Sequence, residues 1–167
     1  MPASVEEIRT LREQTGAGIM DCKQALEDND NDMNKAAEAL RQKGFARAAR
    51  RADRETTEGV IEAYIHTGGR VGALVELGCE TDFVARNDEF KQVAHDIAMQ
   101  VAAMGPAYVT DGDQEEGDNR PASEVCLMQQ TFIKDSSRQV GDIVQELAAK
   151  VGENVRVVRF SRLALEE

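Results

Sequence analysis

Tryptophan is absent from this sequence, tyrosine occurs twice and phenylalanine five times, so every phenylalanine that no helix or strand claims asks for a reason. The apolar runs are only a few residues long, far short of the roughly 20 that a bilayer-crossing helix needs. A transmembrane helix is excluded, and no membrane partner is expected. The three cysteines, Cys22, Cys79 and Cys126, stand far apart and cannot all pair within one chain, which fits a reducing, cytoplasmic setting. Basic residues are outnumbered, 20 Lys and Arg against 31 Asp and Glu, for a formal net charge of −11. A field of that sign repels polyanions, so direct nucleic-acid binding is not expected and a protein partner or a cation is. The opening "MPASVEEIRTLREQTG" has no basic segment leading into an apolar one. It reads as the start of a soluble chain.

What is present is helical first. At 167 residues the chain suits one medium domain, or a small module joined to a larger one. Ser4 and Glu7 form a capping box ahead of Val5, Ile8 and Leu11, whose spacing lays one apolar stripe on a short helix. "TGAG" ends it. Ile19, Cys22, Ala25 and Leu26 repeat the helical spacing until "EDNDND", which supplies an Asn or Asp cap for a third helix. Met33, Ala36, Ala37 and Leu40 make that helix's buried face, and Gly44 is expected to close it. The basic run from Arg41 to Arg54 reads as a solvated helical extension or linker, in preference to a nucleic-acid patch.

The character then changes. "EGVIEAYIHTGGRVGALVELGCE" is rich in Val, Ile and Leu around Gly68-Gly69, a hairpin signature that sets Tyr64 opposite Ala73 and Val60 opposite Leu77. Val71, Ala73, Val75 and Leu77 line one face, while Ile61, Ala63, Ile65 and Leu74 line the other. Such a sheet needs cover on both sides. Phe90, Val93, Ala94, Ile97, Ala98 and Val101 then match a helix that stops at Gly105-Pro106. The acidic loop 106–124 is expected to be mobile and solvated. Ile143, Val144, Leu147 and Val151 predict a further helix ending at Gly152, and "NVRVVRFSRLAL" a third strand for the hairpin. The fold class is thus α+β, with residues 1–54 as a helical module plus basic linker and residues 55–167 as the core.

Several chemistries fail on spacing. "DNDND" imitates the opening of a calcium loop, but Met33 stands where its glycine is needed and Ala39 where a bidentate glutamate should close the shell. "GAGIMD" lacks both the third glycine and the preceding strand of a dinucleotide site, and no phosphate-cradling G-x-x-x-x-G-K-[ST] occurs. Two histidines and three scattered cysteines give no paired zinc ligands. His66 and Cys79 lie at opposite ends of the hairpin, out of reach for a thiol catalyst. No catalytic residue, metal or cofactor is expected.

Phe83 is one such phenylalanine. Asn87 reads as the cap of the next helix with Asp88 and Glu89 in its first turn, which leaves Phe83 in the loop behind it. Burial statistics leave a core-facing and a projecting side chain both open.

"LREQTGAGIMDCKQALEDNDNDMNKAAEALRQKG", "GALVELGCETDFVARNDEFK" and "VGENVRVVRF" together resemble the translation elongation factor Ts family, the guanine-nucleotide exchange partners of elongation factor Tu. The resemblance implies a ubiquitin-associated-like three-helix module followed by a core with a three-stranded antiparallel sheet packed by helices. It implies that Gly16, Ala17, Gly18, Ile19 and Met20 dock on the partner's nucleotide-binding domain. It further implies that Asp82 and Phe83 enter beside the partner's magnesium and phosphate site, flanked by Thr81, Val84, Arg86 and Asn87. The partner would be elongation factor Tu, GDP-bound and nucleotide-free, and no bond chemistry is needed. "EVCLMQQTFIKD" departs from the family pattern at Thr131, where proline is common, and the second core subdomain of longer members is missing. Shorter members form homodimers through their sheets, which would cover the second apolar face. The competing class is a peptide-binding adaptor with a dimerising scaffold core, and a thiol enzyme is a distant third.

Overall fold

A computed structural model describes residues 2–165. Helix α1 (Val5–Thr15) begins at the expected capping box: Ser4 Oγ accepts from the Glu7 amide at 3.2 Å and Glu7 Oε2 accepts from the Ser4 amide at 2.8 Å. It ends at Gly16, whose left-handed backbone (φ 67) turns the chain while its amide donates to the Arg12 carbonyl at 2.8 Å. Helix α2 (Ile19–Asp28) is followed by a turn in which Asp30 and Asn31 take φ 53 and 60. Asp and Asn tolerate that region better than other side chains do. Asp32 then caps helix α3 (Met33–Ala49), accepting from the amides of Asn34 and Lys35 at 3.0 Å each. Leu11, Cys22, Leu26, Ala36 and Leu40 close the interior between the three helices.

Gly44 does not close α3. The helix runs on to Ala49, and a Cβ at Gly44 would stand 3.2 Å from the Cβ of Ala149 on a later helix. The glycine answers a close approach between two helices, and the sequence signal for a stop was a packing signal. The basic run covers the end of α3 and the turns after it, and several of its members are paired: Arg41 with Glu38 at 2.8 Å, Lys43 and Arg47 with Asp21 at 2.6 and 3.2 Å, Arg54 with Glu80 at 3.5 Å.

Strands β1 (Glu58–Ile65) and β2 (Val71–Cys79) form the hairpin in the expected register, Tyr64 opposite Ala73 and Val60 opposite Leu77. The Gly69 amide donates to the His66 carbonyl at 2.9 Å, and Gly68 (φ 95) and Gly69 (φ 70) supply the positive angles of the turn. A one-turn helix α4 (Asp82–Ala85) leads into α5 (Asp88–Met104), capped by Asn87 and closed by left-handed Gly105. Phe90, Ala94, Ile97, Ala98 and Val101 of α5 are buried on the sheet. Each large apolar side chain so buried contributes about 1.5–3 kcal/mol.

The acidic loop is largely exposed, as expected of a solvated loop, and it carries internal hydrogen bonds that composition did not indicate. It contains a 3-10 turn at Asp111–Asp113, and Asp118 accepts from the Tyr108 hydroxyl at 3.0 Å and from two Arg120 guanidinium nitrogens at 2.9 and 2.6 Å. The Arg120 bonds hold the Asp118 carboxyl well below the usual aspartate range. Helix α6 (Ala122–Val125), a 3-10 turn (Leu127–Gln129) and a small ladder of β3 (Thr131–Phe132) with β4 (Asp135–Gln139) follow. Buried Gln100 of α5 fixes that region: its amide nitrogen donates to the Thr131 carbonyl at 3.0 Å and its oxygen accepts from the Ile133 amide at 2.8 Å.

Helix α7 (Val140–Val151) ends at left-handed Gly152, and β5 (Arg156–Ala164) returns antiparallel to β2. The sheet order is β1-β2-β5. Ala73, Val75, Leu77 and Val157 face the helices, with Val140, Val144 and Leu147 of α7 in the same cluster. The other face is open: Ile61 is 68% exposed and Leu163 80%, with Ile65 and Leu74 between them. This is the α+β class the sequence indicates, a three-helix segment ahead of a core with a three-stranded antiparallel sheet.

Candidate functional site

Two short turns present apolar side chains to solvent. At the first, between α1 and α2, Gly16 makes the left-handed exit and Gly18 is the extended N-cap of α2. Ala17 is half-buried and packs on the helical interior, so the chain leaves Ile19 and Met20 at the start of α2 facing outward, 56% and 72% exposed. Asp21, one residue on, binds Lys43 and then Arg47, whose hydrogen bonds pull its carboxyl below the ordinary aspartate range. The turn is thereby fastened to α3.

At the second, Phe83 is 82% exposed. The short α4 rather than an open loop carries it, a difference from the sequence reading with a local cause. Thr81 caps the turn by accepting from the Val84 amide at 3.5 Å, and the Arg86 amide donates to the Asp82 carbonyl at 3.0 Å. Val84 and Ala85 then turn into the core, which leaves the preceding Phe83 on the other side. Asp82 and Arg86 form an i, i+4 ion pair at 3.1 Å, half-exposed at the carboxylate. Asn87 caps α5, accepting from the amides of Glu89 and Phe90 at 2.9 and 3.2 Å. Of the residues singled out from sequence, Gly16, Gly18, Ile19, Met20, Thr81, Phe83, Arg86 and Asn87 are exposed, while Ala17, Asp82 and Val84 are partly covered.

Side chains that sequence reasoning did not single out hold these turns. Glu153, just after α7, accepts from the amides of Glu80 and Thr81 at 2.9 and 3.0 Å and from the Thr81 hydroxyl. Lys150 of α7 reaches Glu89 at 2.8 Å, and its stem lies 3.8 Å from where a Gly16 Cβ would be. The only available signal for Glu153 was its place in "VGENVRVVRF".

Thiol chemistry finds no support here. Cys79 is buried, and burial first of all pushes its thiol up to about 11, so it stays protonated near neutrality. His95 instead meets Glu62, Nδ1 to Oε1 at 3.1 Å. Among the described residues no cluster of three or more His, Cys, Asp or Glu is arranged to hold a metal, and no helix is long and apolar enough to cross a membrane.

Sequence comparison assigns the chain to the translation elongation factors. The family profile described as Elongation factor TS matches residues 13–118. Elongation factor Ts of Carboxydothermus hydrogenoformans is 48% identical over 96% of this chain and 88% of the relative. That of Thermotoga neapolitana is 45% identical over 100% and 99%, and that of Desulfosudis oleivorans 41% identical over 98% of each. The chain belongs to the elongation factor Ts family.

Proposed function

We propose that this chain accelerates GDP release from elongation factor Tu so that GTP can rebind. The observation that carries the reading is Phe83, an aromatic side chain left 82% exposed on a capped turn beside a carboxylate. An aromatic ring in that position is suited to separating two packed elements of another protein, and Asp82 to disturbing a neighbouring magnesium shell. Ile19 and Met20 supply a second apolar contact on the nucleotide-binding domain, with residues 1–54 as docking module and 55–167 as core. Thr81, Val84, Arg86 and Asn87 shape or flank the wedge.

Exchange of this kind makes and breaks no covalent bond, so the chain needs no catalytic residue or cofactor. A protein that binds the nucleotide-free partner more tightly than the loaded one weakens nucleotide binding by the same factor. Its place is with its partner in the cytoplasm, and it acts as a homodimer whose open sheet faces, lined by Ile61, Ile65, Leu74 and Leu163, cover each other. Stopped-flow release of a fluorescent GDP from elongation factor Tu tests the reading. Acceleration by the intact chain that is lost in Phe83→Ala supports it, and no acceleration by the intact chain rejects it. Binding retained without any exchange by either protein would favour the adaptor reading instead.

A further inference from the structure

We propose that Glu153 is the positioning residue of the docking turn, holding α4 so that Phe83 and Asp82 face outward; the inference rests on the exchange reading above. Phe83 is the side chain offered to the partner, yet a single helical turn cannot hold its own pose, because helix nucleation fixes several residues for one hydrogen bond. Something outside α4 must hold its start. Glu153 Oε2 accepts from the amides of Glu80 at 2.9 Å and Thr81 at 3.0 Å, while Oε1 accepts from the Thr81 hydroxyl. One carboxylate thus binds three donors on the two residues that join β2 to α4, and charge-assisted bonds of this type are the strong ones.

The grip is reciprocal. Glu80 Oε1 accepts from the Asn154 amide at 2.7 Å, so the two segments hold each other by crossed side-chain to backbone bonds. Asn154, itself buried, donates through Nδ2 to the carbonyls of Ala52 at 3.1 Å and Arg54 at 2.7 Å. The same junction therefore fastens the segment that links α3 to β1. Below α4, Val84 and Ala85 pack on the core, which sets the height of the turn, while Glu153 sets its rotation. Loss of Glu153 frees Thr81, the cap on which α4 starts, and lets Phe83 sample directions that do not meet the partner.

The test uses the full chain and four variants, Glu153→Ala, Glu153→Gln, Thr81→Val and Phe83→Ala, with the Glu153→Ala/Phe83→Ala double. Amide hydrogen exchange at residues 80–84 and stopped-flow GDP release from elongation factor Tu are both read. For Glu153→Ala the expected result is about tenfold faster exchange of the Glu80 and Thr81 amides and about tenfold lower kcat/KM for GDP release. Glu153→Gln keeps an oxygen for both amides and a group that can donate to the Thr81 hydroxyl, and restores most of both. Thr81→Val removes only the hydroxyl bonds, gives a smaller loss and keeps the test available if Glu153→Ala does not fold. The double variant is expected to lose less than the product of the two single losses, because Glu153 acts in large part through Phe83. Additive losses, unchanged amide protection in Glu153→Ala, or full activity of Glu153→Ala beside an inactive Phe83→Ala would each overturn the positioning role alone. Wild-type activity in both single variants would overturn the docking reading and the positioning role with it.

Discussion

Lys150 of α7 and Glu89 of α5 meet at 2.8 Å, and the Lys150 stem passes over Gly16 on its way there. The Lys150 side chain thus runs beside the cleft that Gly16 and Ala17 line with α7, and its ammonium reaches the first turn of α5, two residues past the Asn87 cap and close to α4. Both members of the pair are about half-exposed, so the ion pair itself contributes roughly 0–1 kcal/mol. Its consequence is spatial: one side chain spans from beside the α1–α2 turn to the first turn of α5.

Gly16 is a test of backbone conformation rather than of space. A Cβ there would meet Lys150 Cγ at 3.8 Å, an ordinary contact, but φ is 67. Gly16→Ala is expected to lower stability by about 1 kcal/mol, and Gly16→Asn by less, since Asn accepts left-handed angles more readily. Urea midpoints for the two variants check this. Equal stability of Gly16→Ala and wild type would remove the argument from φ.

Much of the fold was legible because its signals are local. The Ser4–Glu7 box, the glycine turn that sets Tyr64 against Ala73, and the α5 stripe ending at Gly105 each need only a few neighbouring residues to be read. Gly44 was misread because its cause lies at Ala149, over a hundred positions along the chain. In the acidic loop, composition registers the five carboxylates and their exposure but not the Tyr108 and Arg120 donors that converge on Asp118. At the candidate site, the Asn87 cap set Phe83 apart from the next helix, while its direction was decided by Val84, Ala85 and the Thr81 cap. Glu153 had no signal beyond its place in "VGENVRVVRF", because its partners lie some seventy positions earlier in the chain.

Gly44 allows a comparison of two opposed effects. In a helix interior alanine gains about 1 kcal/mol over glycine, yet a Cβ placed 3.2 Å from Ala149 Cβ needs α3 and α7 to yield slightly. Gly44→Ala is expected to be near neutral. Gly44→Leu has no such compensation for its bulk and should cost about 1–3 kcal/mol, as overpacked contacts do. Thermal unfolding of both variants decides it; a Gly44→Leu variant as stable as Gly44→Ala would mean the α3–α7 contact is not close in solution.

Asp21 gives a pH dependence with a definite sign. Its carboxyl is lowered from 3.8 by the Lys43 hydrogen bond and then by that of Arg47. A carboxylate with a depressed folded value contributes stability above its ordinary range, and that contribution is lost as pH falls below about 4 toward the folded value. The stability difference between wild type and Asp21→Asn is therefore expected to be largest near pH 6 and to shrink below pH 4. Because the pair is partly exposed, the difference stays within about 1 kcal/mol. Urea titrations of both proteins at pH 6 and pH 3 measure it, and a difference that grows on acidification would reverse the assignment.

The open sheet face leads to the last prediction. Ile65, Leu74, Leu163 and Leu165 line a shallow depression of about 530 Å³ on the side away from the helices, and contiguous exposed apolar patches of this kind mark interaction surfaces. Glu76 and Arg159 pair across β2 and β5 at 2.5 Å on the sheet, so this pair adds no net charge to the patch. Leu163 is 80% exposed in the single chain, which means its replacement costs the monomer little while placing a charge in each half of a symmetric contact. Wild type should sediment at micromolar concentration at twice 18.3 kDa, and Leu163→Glu at 18.3 kDa with its far-UV spectrum intact. If wild type alone sediments as the 18.3 kDa species, the sheet face is covered by something other than a second copy; if Leu163→Glu remains a dimer, the copies meet on a different surface.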